Sequence, residues 1–393
     1  MSGMTRAADD RDAIVVGAGP AGSAAATVLA ENGWRVLVLE KDRFPRPKVC
    51  GEFLSGDAGE SLARLRVRSR IGALSPERIE SGEIVLPGGR RVAFRLSAAA
   101  TGISRRRLDA LLAERAQEVG AEIRFGARVL AVEGNPEQGF RVRVRGADEP
   151  QEIRARLVVG AWGRWDALDR ELGRRFLARR RFFGWNRDYS GGADDLAGRV
   201  RLFVFPGGYC GLSRVEGGEV NLAGVISERR RKRIPGGWDA VLAHARRSNS
   251  ALDGDLARLR PGPTGFLGTV PVVFSAKPPA ERGILLAGDA AGVLDPFSGT
   301  GQSAALAAGI LAGEVGARCL EGAIAERDLP ARYAREWRRR FGPRFRWSGV
   351  LRRLMLHPVA GEIAGSLAGE RLVRFGIGAL HAGPGAAPRR VRS

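Results

Sequence analysis

Cysteine, histidine and lysine are all scarce in this sequence, and the shortages exclude several classes of protein. The 393 residues include three Cys and three His. The cysteines, Cys50, Cys210 and Cys319, are far apart, with no Cys-x-x-Cys pair and no zinc-ligand spacing. We therefore exclude a disulfide scaffold, predict no metal site and expect a reducing, cytoplasmic environment.

Lysine is nearly absent although the chain is strongly basic. Only four of the 64 basic residues are Lys, so the formal net charge of +21 is an arginine surplus. The arginines are spread along the entire chain, whereas nucleic-acid-binding proteins usually concentrate their charge. We expect no specific nucleic-acid binding, and a general attraction for anions remains.

Long uncharged apolar runs are also absent. No stretch approaches the roughly 18 uncharged apolar residues that cross a bilayer, and residues 1–12 are polar. We therefore expect neither a signal peptide nor a membrane span. The 44% of hydrophobic and 27% of charged residues are typical of a globular protein, and the length suffices for two or three domains.

Residues 13–40 predict a complete βαβ unit. A buried strand leads into Gly-Ala-Gly-Pro-Ala-Gly, an Ala-rich helix follows, and a second strand ends in Glu40. Glycines at these spacings allow a tight turn, a close approach to a pyrophosphate and close helix packing, and the helix N-terminus is positive. The predicted dinucleotide contacts are Gly17, Gly19, Pro20, Ala21, Gly22, Glu40 and Lys41.

Residues 283–309 carry a second motif, in which a strand, a carboxylate and a glycine-rich helix start follow in order. This order resembles the second FAD motif of the flavoprotein superfamily of geranylgeranyl reductases and aromatic hydroxylases of the p-hydroxybenzoate hydroxylase kind. The resemblance implies that FAD is the cofactor, that Asp289 binds its ribityl or ribose hydroxyls, and that the helix start faces the flavin. The contacts implied here are Gly288, Asp289, Pro296, Gly299, Gly301 and Gln302.

Two intermediate segments resemble the same superfamily. Residues 43–55 are similar to the loop of geranylgeranyl reductases in which a Cys-Gly pair borders the flavin, which implies cofactor contacts at Lys48 and Gly51. An Arg-x-x-Leu-Asp helix start implies a further contact at Arg105, and we add Val129. Cys50 is the candidate catalytic residue, as proton donor or redox partner; the alternative is a small buried apolar residue.

Trp162 marks a departure from the hydroxylases, which carry Asp at this position of a Gly-Ala-Asp-Gly turn. The missing carboxylate counts against direct reduction by NAD(P)H in the hydroxylase manner. The sequence also has no second Gly-x-Gly-x-x-Gly in strand context. NAD(P)H is therefore expected only as a transient electron donor, and an electron-donor protein is the alternative.

The expected fold class is α/β, with a Rossmann-like FAD-binding domain of the GR2 type, an antiparallel-sheet substrate domain and a C-terminal helical region. Alternating strands with glycine-rich turns at residues 83–96 and 200–227 predict the second sheet, and residues 122–132 and 140–145 predict a hairpin. The predicted boundaries are 1–76, 101–165 and 266–330 for the FAD-binding domain, 77–100 and 166–265 for the substrate domain, and 331–393 for the helical region.

Aromatic residues concentrate in the predicted second sheet, so we expect a hydrophobic small-molecule substrate. Trp185, Phe203, Phe205 and Tyr209 are the predicted pocket residues, although aromatic residues at strand spacing often pack in a core. Geranylgeranyl reductases carry a Tyr-x-Trp-x-Phe-Pro element near this point, whereas residues 209–213 read Tyr-Cys-Gly-Leu-Ser. This departure leaves prenyl specificity open.

The arginine-rich segment from residue 329 predicts helix. Trp337, Phe341 and Phe345 recur at helical spacing, and Gly342-Pro343 is expected to break the helix. Two interpretations remain. The segment is either a helical cap packed on the domains or a helix in peripheral contact with a membrane surface.

Three functions fit these motifs. The first is a reductase or dehydrogenase acting on a carbon-carbon double bond, favoured by the Cys-Gly loop and by Gly292, where hydroxylases commonly place His. The second is a monooxygenase of aromatic or polyketide rings, and the third is a non-catalytic, membrane-associated FAD-binding protein. A flavin halogenase is not expected, because no Lys lies between Val49 and Arg231 and the Trp-x-Trp-x-Ile-Pro element is absent.

Overall fold

The computed structural model describes residues 10–146, 150–164, 166–174 and 181–355, so the rest of the expected C-terminal region, residues 356–393, lies outside the described residues. The strands are β1 (Arg11–Val16), β2 (Val36–Glu40), β3 (Phe53–Leu54), β4 (Glu77–Val85), β5 (Arg91–Gly102), β6 (Glu122–Phe125), β7 (Arg128–Asn135), β8 (Gly139–Arg145), β9 (Gln151–Gly160), β10 (Phe182–Ser190), β11 (Arg199–Phe205), β12 (Gly208–Arg214), β13 (Val220–Ser227), β14 (Arg260–Pro261), β15 (Leu267–Gly268), β16 (Ala280–Glu281) and β17 (Ile284–Leu286). The helices are α1 (Pro20–Glu31), α2 (Gly59–Arg64), α3 (Arg68–Ala73), α4 (Arg105–Glu118), α5 (Ala167–Glu171), α6 (Glu228–Arg231), α7 (Trp238–Ser248), α8 (Ser250–Ala257), α9 (Gly301–Leu320) and α10 (Leu329–Met355).

The first sheet has the order β16-β17-β9-β1-β2-β6. Its central strand, β1, pairs in parallel with β2 and β9, and Val15 lies opposite Val38 and Val159. These strands read as continuous Val, Ile and Leu runs because both faces of a parallel sheet are covered. The carboxyl ends of β1 and β9 therefore meet at one edge of the sheet, where α1 begins.

The insertion in this domain differs in part from the predicted hairpin. β6 pairs in parallel with β2, whereas β7 and β8 form an antiparallel pair that joins the sheet through β9. Gly126, with φ of +76°, separates β6 from β7. The predicted hairpin is therefore confirmed for β7 and β8, whereas residues 122–125 form a separate strand, β6, with a different partner.

The second sheet has the order β14-β10-β13-β12-β11-β4-β5-β3, with β15 beside β10. Its pairs are antiparallel except for β11 and β4, which run parallel. Helices α7 and α8 pack against one face through a core that includes Phe203 and Leu252. The opposite face looks toward the first sheet. The predicted α/β class with a second, mainly antiparallel sheet is confirmed, although β5 and β15 extend past the predicted boundaries at residues 100 and 266.

Two long helices complete the described chain. α9 is long and apolar enough to cross a membrane by composition alone, contrary to the sequence expectation, but 83% of its apolar window is buried inside the protein. α10 continues through Pro343, so the predicted break is wrong. Its buried side chains Tyr333, Trp337 and Phe341 pack on the first core, which holds the helix continuous across the proline.

Candidate functional site

Two adjoining cavities share Gly19, Lys48 and Ala161 in their linings. The smaller, of about 40 Å³, begins at the carboxyl ends of β1 and β2. The larger, of about 250 Å³, extends along the inner face of the second sheet. We call them the nucleotide cavity and the substrate cavity. Together they form one elongated groove of the shape that a dinucleotide with a reactive end would require.

In the glycine-rich turn, backbone atoms of neighbouring segments pack directly against each other. Gly17 has φ of +101°, and a Cβ there would lie 2.6 Å from the carbonyl oxygen of Ala161. A Cβ on Gly22 would overlap the carbonyl oxygen of Gly17. Pro20 and Ala21 begin α1, so its positive end and free N–H groups face the groove.

Glu40 ends β2 within the nucleotide cavity and is buried. Its Oε2 accepts a hydrogen bond of 2.7 Å from the Ala18 N–H, which joins the acid to the glycine-rich turn. Lys41 lies beside it and forms an ion pair with Asp166 at 3.2 Å. Val129 lines the same cavity. The predicted residues at this end are thus together.

Trp162 also lines the nucleotide cavity and is almost fully buried. Its ring packs over Gly160, where a Cβ would collide with it, and its indole N–H has no hydrogen-bond partner in the part of the chain that the structure describes. The tryptophan thus fills the place where the hydroxylase pattern has a carboxylate.

Lys48 lines both cavities, at the middle of the groove. Burial, and secondly the charge of Arg105, lower the pKa of Lys48 to about 8. Arg105 is held by a bidentate pair with Asp109, at 2.7 Å for each hydrogen bond. Two cations at the junction of the cavities suit an anionic pyrophosphate.

The Cys50 loop, residues 48–53, lies where the two sheets approach each other. Gln302 Nε2 contacts Cys50 Sγ at 3.2 Å, and Asn221 Nδ2 donates to the Cys50 carbonyl at 2.9 Å. Ser213 Oγ donates to the Gly51 carbonyl at 3.4 Å. The second sheet therefore holds the loop backbone, and α9 holds the thiol.

Glu52 follows the thiol in the unusual left-handed conformation, with φ of +53°. Its Oε1 accepts from the Arg105 backbone N–H at 2.9 Å, at the start of α4. Burial raises the pKa of Glu52 to about 8. Sequence reasoning missed this residue, because nothing in the sequence shows that the loop closes onto a helix start.

The second motif supplies the other wall of the junction. Asp289 lies in the substrate cavity lining and pairs with Arg164 at 3.4 Å. Gly299, with φ of +66°, turns the chain into α9, and nothing lies within 4 Å of a Cβ built on Gly301. Gly292 has no room for the histidine of hydroxylases, because a Cβ there would lie 2.6 Å from the Phe345 ring.

The substrate cavity is mainly apolar. Its apolar wall includes Phe94, Leu96, Val200, Leu202, Val272 and Phe274. Along β12, the alternate residues Tyr209, Gly211 and Ser213 all face it. Gly211 and Ser213 have the spacing at which the geranylgeranyl reductase element has Trp and Phe, so this part of the wall carries small side chains, with Leu202 packed over Gly211.

A buried polar group closes one end of this cavity. Tyr209 donates a 2.7 Å hydrogen bond to Asp295 Oδ1, and Asp295 Oδ2 accepts from Arg352 of α10 at 3.4 Å. Burial raises the pKa of both the Tyr209 phenol and the Asp295 carboxyl. This contact joins the second sheet, the loop before Pro296 and α10. Asp295 and Arg352 were not anticipated, because their contact spans 57 residues.

The four predicted pocket residues separate into two groups. Tyr209 and Trp185 border the cavity, although the Trp185 ring packs outward against Phe266. Phe203 and Phe205 do not line it, so the prediction is corrected for both. They alternate with Leu202 along β11 and therefore face α7 and α8 in the core on the other side of the sheet.

The groove fits FAD. Among the described residues, the buried Gln302 side-chain oxygen has no hydrogen-bond partner, and no atom lies within 4 Å of a Cβ built on Gly51. Cations lie at the middle of the groove, and carboxylates lie at Glu40 and Asp289, where hydroxyls would be bound. The donor set therefore matches a long, anionic, hydroxyl-bearing dinucleotide.

Comparison with known proteins agrees with this geometry. The FAD binding domain family matches residues 10–187. Digeranylgeranylglycerophospholipid reductase 2 of Methanopyrus kandleri is 31% identical over 350 residues, covering 86% of this chain and 84% of that protein. Menaquinone reductase of Mycobacterium tuberculosis H37Rv is 32% identical over 375 residues, covering 88% and 84%.

Among solved structures, a triple mutant of the flavin-dependent brominase Bmp2 has a TM-score of 0.79 at 20% identity over 95% of both chains, which is a likeness of fold alone. The fold, the groove and the sequence matches together define an FAD-dependent oxidoreductase. More closely, the chain belongs to the geranylgeranyl reductase family, within the flavoprotein superfamily that includes aromatic hydroxylases. The predicted family and the FAD cofactor are confirmed.

Proposed function

We propose that this protein reduces a carbon-carbon double bond of a large hydrophobic molecule, or catalyses the reverse dehydrogenation. The observation that carries the proposal is the apolar cavity that meets the nucleotide cavity at the Cys50 loop. Reduced FAD supplies a hydride when bound. The protein must then exclude water, orient the alkene and deliver one proton.

The apolar wall performs the first two tasks. Phe94, Leu202 and Phe274 surround a space with few polar side chains, so a hydrocarbon chain or ring gains free energy by entering it. The Tyr209 hydroxyl is already committed to Asp295. Tyr209 therefore forms a fixed part of the cavity wall and is not the proton donor.

Cys50 is the proposed proton donor. The Cys50 thiol would pass its proton from Sγ to the alkene carbon that does not receive the hydride. The thiolate that remains is stabilised by Gln302 Nε2, at 3.2 Å, and by the nearby Arg105 guanidinium. Solvent then returns the proton to Sγ. Hydride and proton together add two hydrogen atoms across the double bond.

The substrate class rests on the relatives. Two curated relatives are named as reductases, one of a digeranylgeranyl phospholipid and one of menaquinone. We propose a substrate of comparable hydrophobicity. NAD(P)H is proposed as a transient electron donor and an electron-donor protein as the alternative, because the only Gly-x-Gly-x-x-Gly in strand context is the one at Gly17.

A second candidate function is hydroxylation of an aromatic or polyketide ring. Gly211 and Ser213 favour it, because small side chains on the sheet leave width for a ring system. A non-catalytic FAD-binding role predicts no product from either class of substrate.

The test uses the FAD-loaded protein, reduced chemically under anaerobic conditions and mixed with a geranylgeranyl lipid or with menaquinone. We expect reoxidation of the flavin and a product heavier by two hydrogen atoms. Cys50→Ser should still bind FAD but should no longer form this product. Cys319→Ser, at a buried position outside the cavity, should bind FAD and form the product as the native protein does. A product that appears only with oxygen and gains an oxygen atom would establish hydroxylation instead.

A further inference from the structure

Three large hydrophobic side chains stand out among the described residues because they are exposed. They are Val270, at 57% exposure, Trp347, at 41%, and Val350, at 44%. Isolated exposed apolar residues are common, but clusters of them mark interaction sites. The position of these three is therefore informative.

Val270 lies on a segment that forms part of the substrate-cavity wall, whereas Trp347 and Val350 lie on α10, which packs behind that wall. Val270 belongs to a segment bonded to β10, where Val272 and Phe182 exchange hydrogen bonds of 2.7 and 2.9 Å. Val272 and Phe274 face the cavity. Val270 instead points to solvent. The apolar wall and the exposed apolar group are two sides of one segment.

α10 reaches the same wall. Arg352 lies 5.5 Å from the ring centres of both Phe182 and Phe274, and Ser348 accepts a 3.0 Å hydrogen bond from the Asp295 N–H. These contacts hold the buried side of α10 against the cavity wall, while Trp347 and Val350 lie on its exposed side.

The outer face of α10 is amphipathic. Exposed residues 335, 339, 346 and 350 fall on one side of the helix, with Trp347 next to them, opposite the buried side that holds Trp337 and Phe341. Positions 335, 339 and 346 are all arginine. We define the membrane face as Arg335, Arg339, Arg346, Trp347 and Val350.

We infer that this face binds the surface of an anionic lipid bilayer. Tryptophan and valine enter the interface, and arginine stems lie along it while their guanidinium groups pair with lipid phosphates. A net charge of +21 adds long-range attraction. A second copy of the chain is disfavoured as the occupant, because a twofold contact would oppose the same arginines.

Vesicle co-sedimentation of the FAD-loaded full chain tests this inference independently of any reaction. We expect binding to vesicles of phosphatidylcholine with phosphatidylglycerol and little binding to phosphatidylcholine alone. Trp347→Ser with Val350→Ser should weaken binding about tenfold. Unchanged FAD content and circular dichroism would show that the variant is folded.

A charge-matched pair of triple variants separates a docking face from general basicity. Arg335→Gln, Arg339→Gln and Arg346→Gln should weaken binding at least tenfold, whereas Arg143→Gln, Arg145→Gln and Arg154→Gln, on exposed positions of β8 and β9, should weaken it far less. Equal losses in the two triples would overturn the inference. It would also be overturned by absence of vesicle binding, or by a dimer in sedimentation that Trp347→Ser dissociates.

Discussion

The walls of the nucleotide cavity and the substrate cavity are built in different ways. Around the glycine-rich turn, main chain touches main chain, and a Cβ on Gly22 would overlap a carbonyl oxygen. On β12 the wall is made by alternating side chains, and a Cβ on Gly211 would meet the flexible end of Leu202 at 2.8 Å. The first wall therefore accepts almost no substitution, while the second can be reshaped without rebuilding the backbone.

The largest effect is expected from a change confined to the cofactor side. Asp289→Ala should raise the Kd for FAD about 100-fold, because it removes the carboxylate that we predict to bind cofactor hydroxyls. Flavin fluorescence titration of the apoprotein measures this. Glu152→Ala removes an exposed acid on β9 and is the matched control. An unchanged Kd would take Asp289 out of the cofactor site.

Glu52 lies in the Cys50 loop, between the two cavities. Its substitution should have a smaller effect, on the free energy of unfolding, and this effect should depend on pH. Because burial raises the Glu52 pKa from 4.5 to about 8, the folded protein retains a proton that the unfolded chain releases. The contribution of Glu52 to the free energy of unfolding is therefore fully present below pH 4.5. It declines as the pH rises and is lost once the pH passes about 8.

Glu52→Gln keeps a neutral acceptor for the Arg105 N–H at every pH. The variant should therefore exceed the native protein in free energy of unfolding by about 2 kcal/mol at about pH 9, and match it at about pH 4. Chemical denaturation at the two pH values measures the difference. A constant difference at both would show that Glu52 does not titrate in this way.

Lys48 should give the smallest of the three effects. The pKa of Lys48 is lowered to about 8, and an anionic pyrophosphate prefers the charged amine, so FAD affinity should fall as the pH rises through about 8. Lys48→Met should weaken FAD binding about tenfold at neutral pH, and Lys48→Arg should remove the pH dependence.

Lys232→Met, on an exposed lysine, controls for the loss of a surface charge. If Lys48→Met and Lys232→Met change FAD affinity equally, then Lys48 is not at the pyrophosphate.

The same contrast explains how much could be predicted from sequence. The residues on the cofactor side fall in contiguous sequence motifs. The cofactor contacts from Gly17 to Glu40 and from Gly288 to Gln302 could therefore be predicted from the sequence. The Phe203 and Phe205 error came from strand alternation, because the sequence shows which residues alternate but not which face meets the cofactor.

Long-range contacts were the other source of error. Whether Pro343 breaks a helix depends on the packing of Trp337 and Phe341 against the first core, and that packing outweighs the lost hydrogen bond. The Tyr209, Asp295 and Arg352 contact joins three distant segments. No local spacing could have indicated either feature.

We expect the substrate at the apolar end of the larger cavity, beyond the residues around the Cys50 loop and Asp289 that face the flavin, and Gly211→Trp tests this separation most directly. The variant fills the substrate cavity from β12, while Gly88→Trp, at an open turn position of the same protein, is the control. Geranylgeraniol binding, followed through the absorbance of bound FAD, should weaken at least tenfold in Gly211→Trp, with the Kd for FAD within about twofold of native. Equal losses of both ligands, or no loss of geranylgeraniol binding, would contradict the claim.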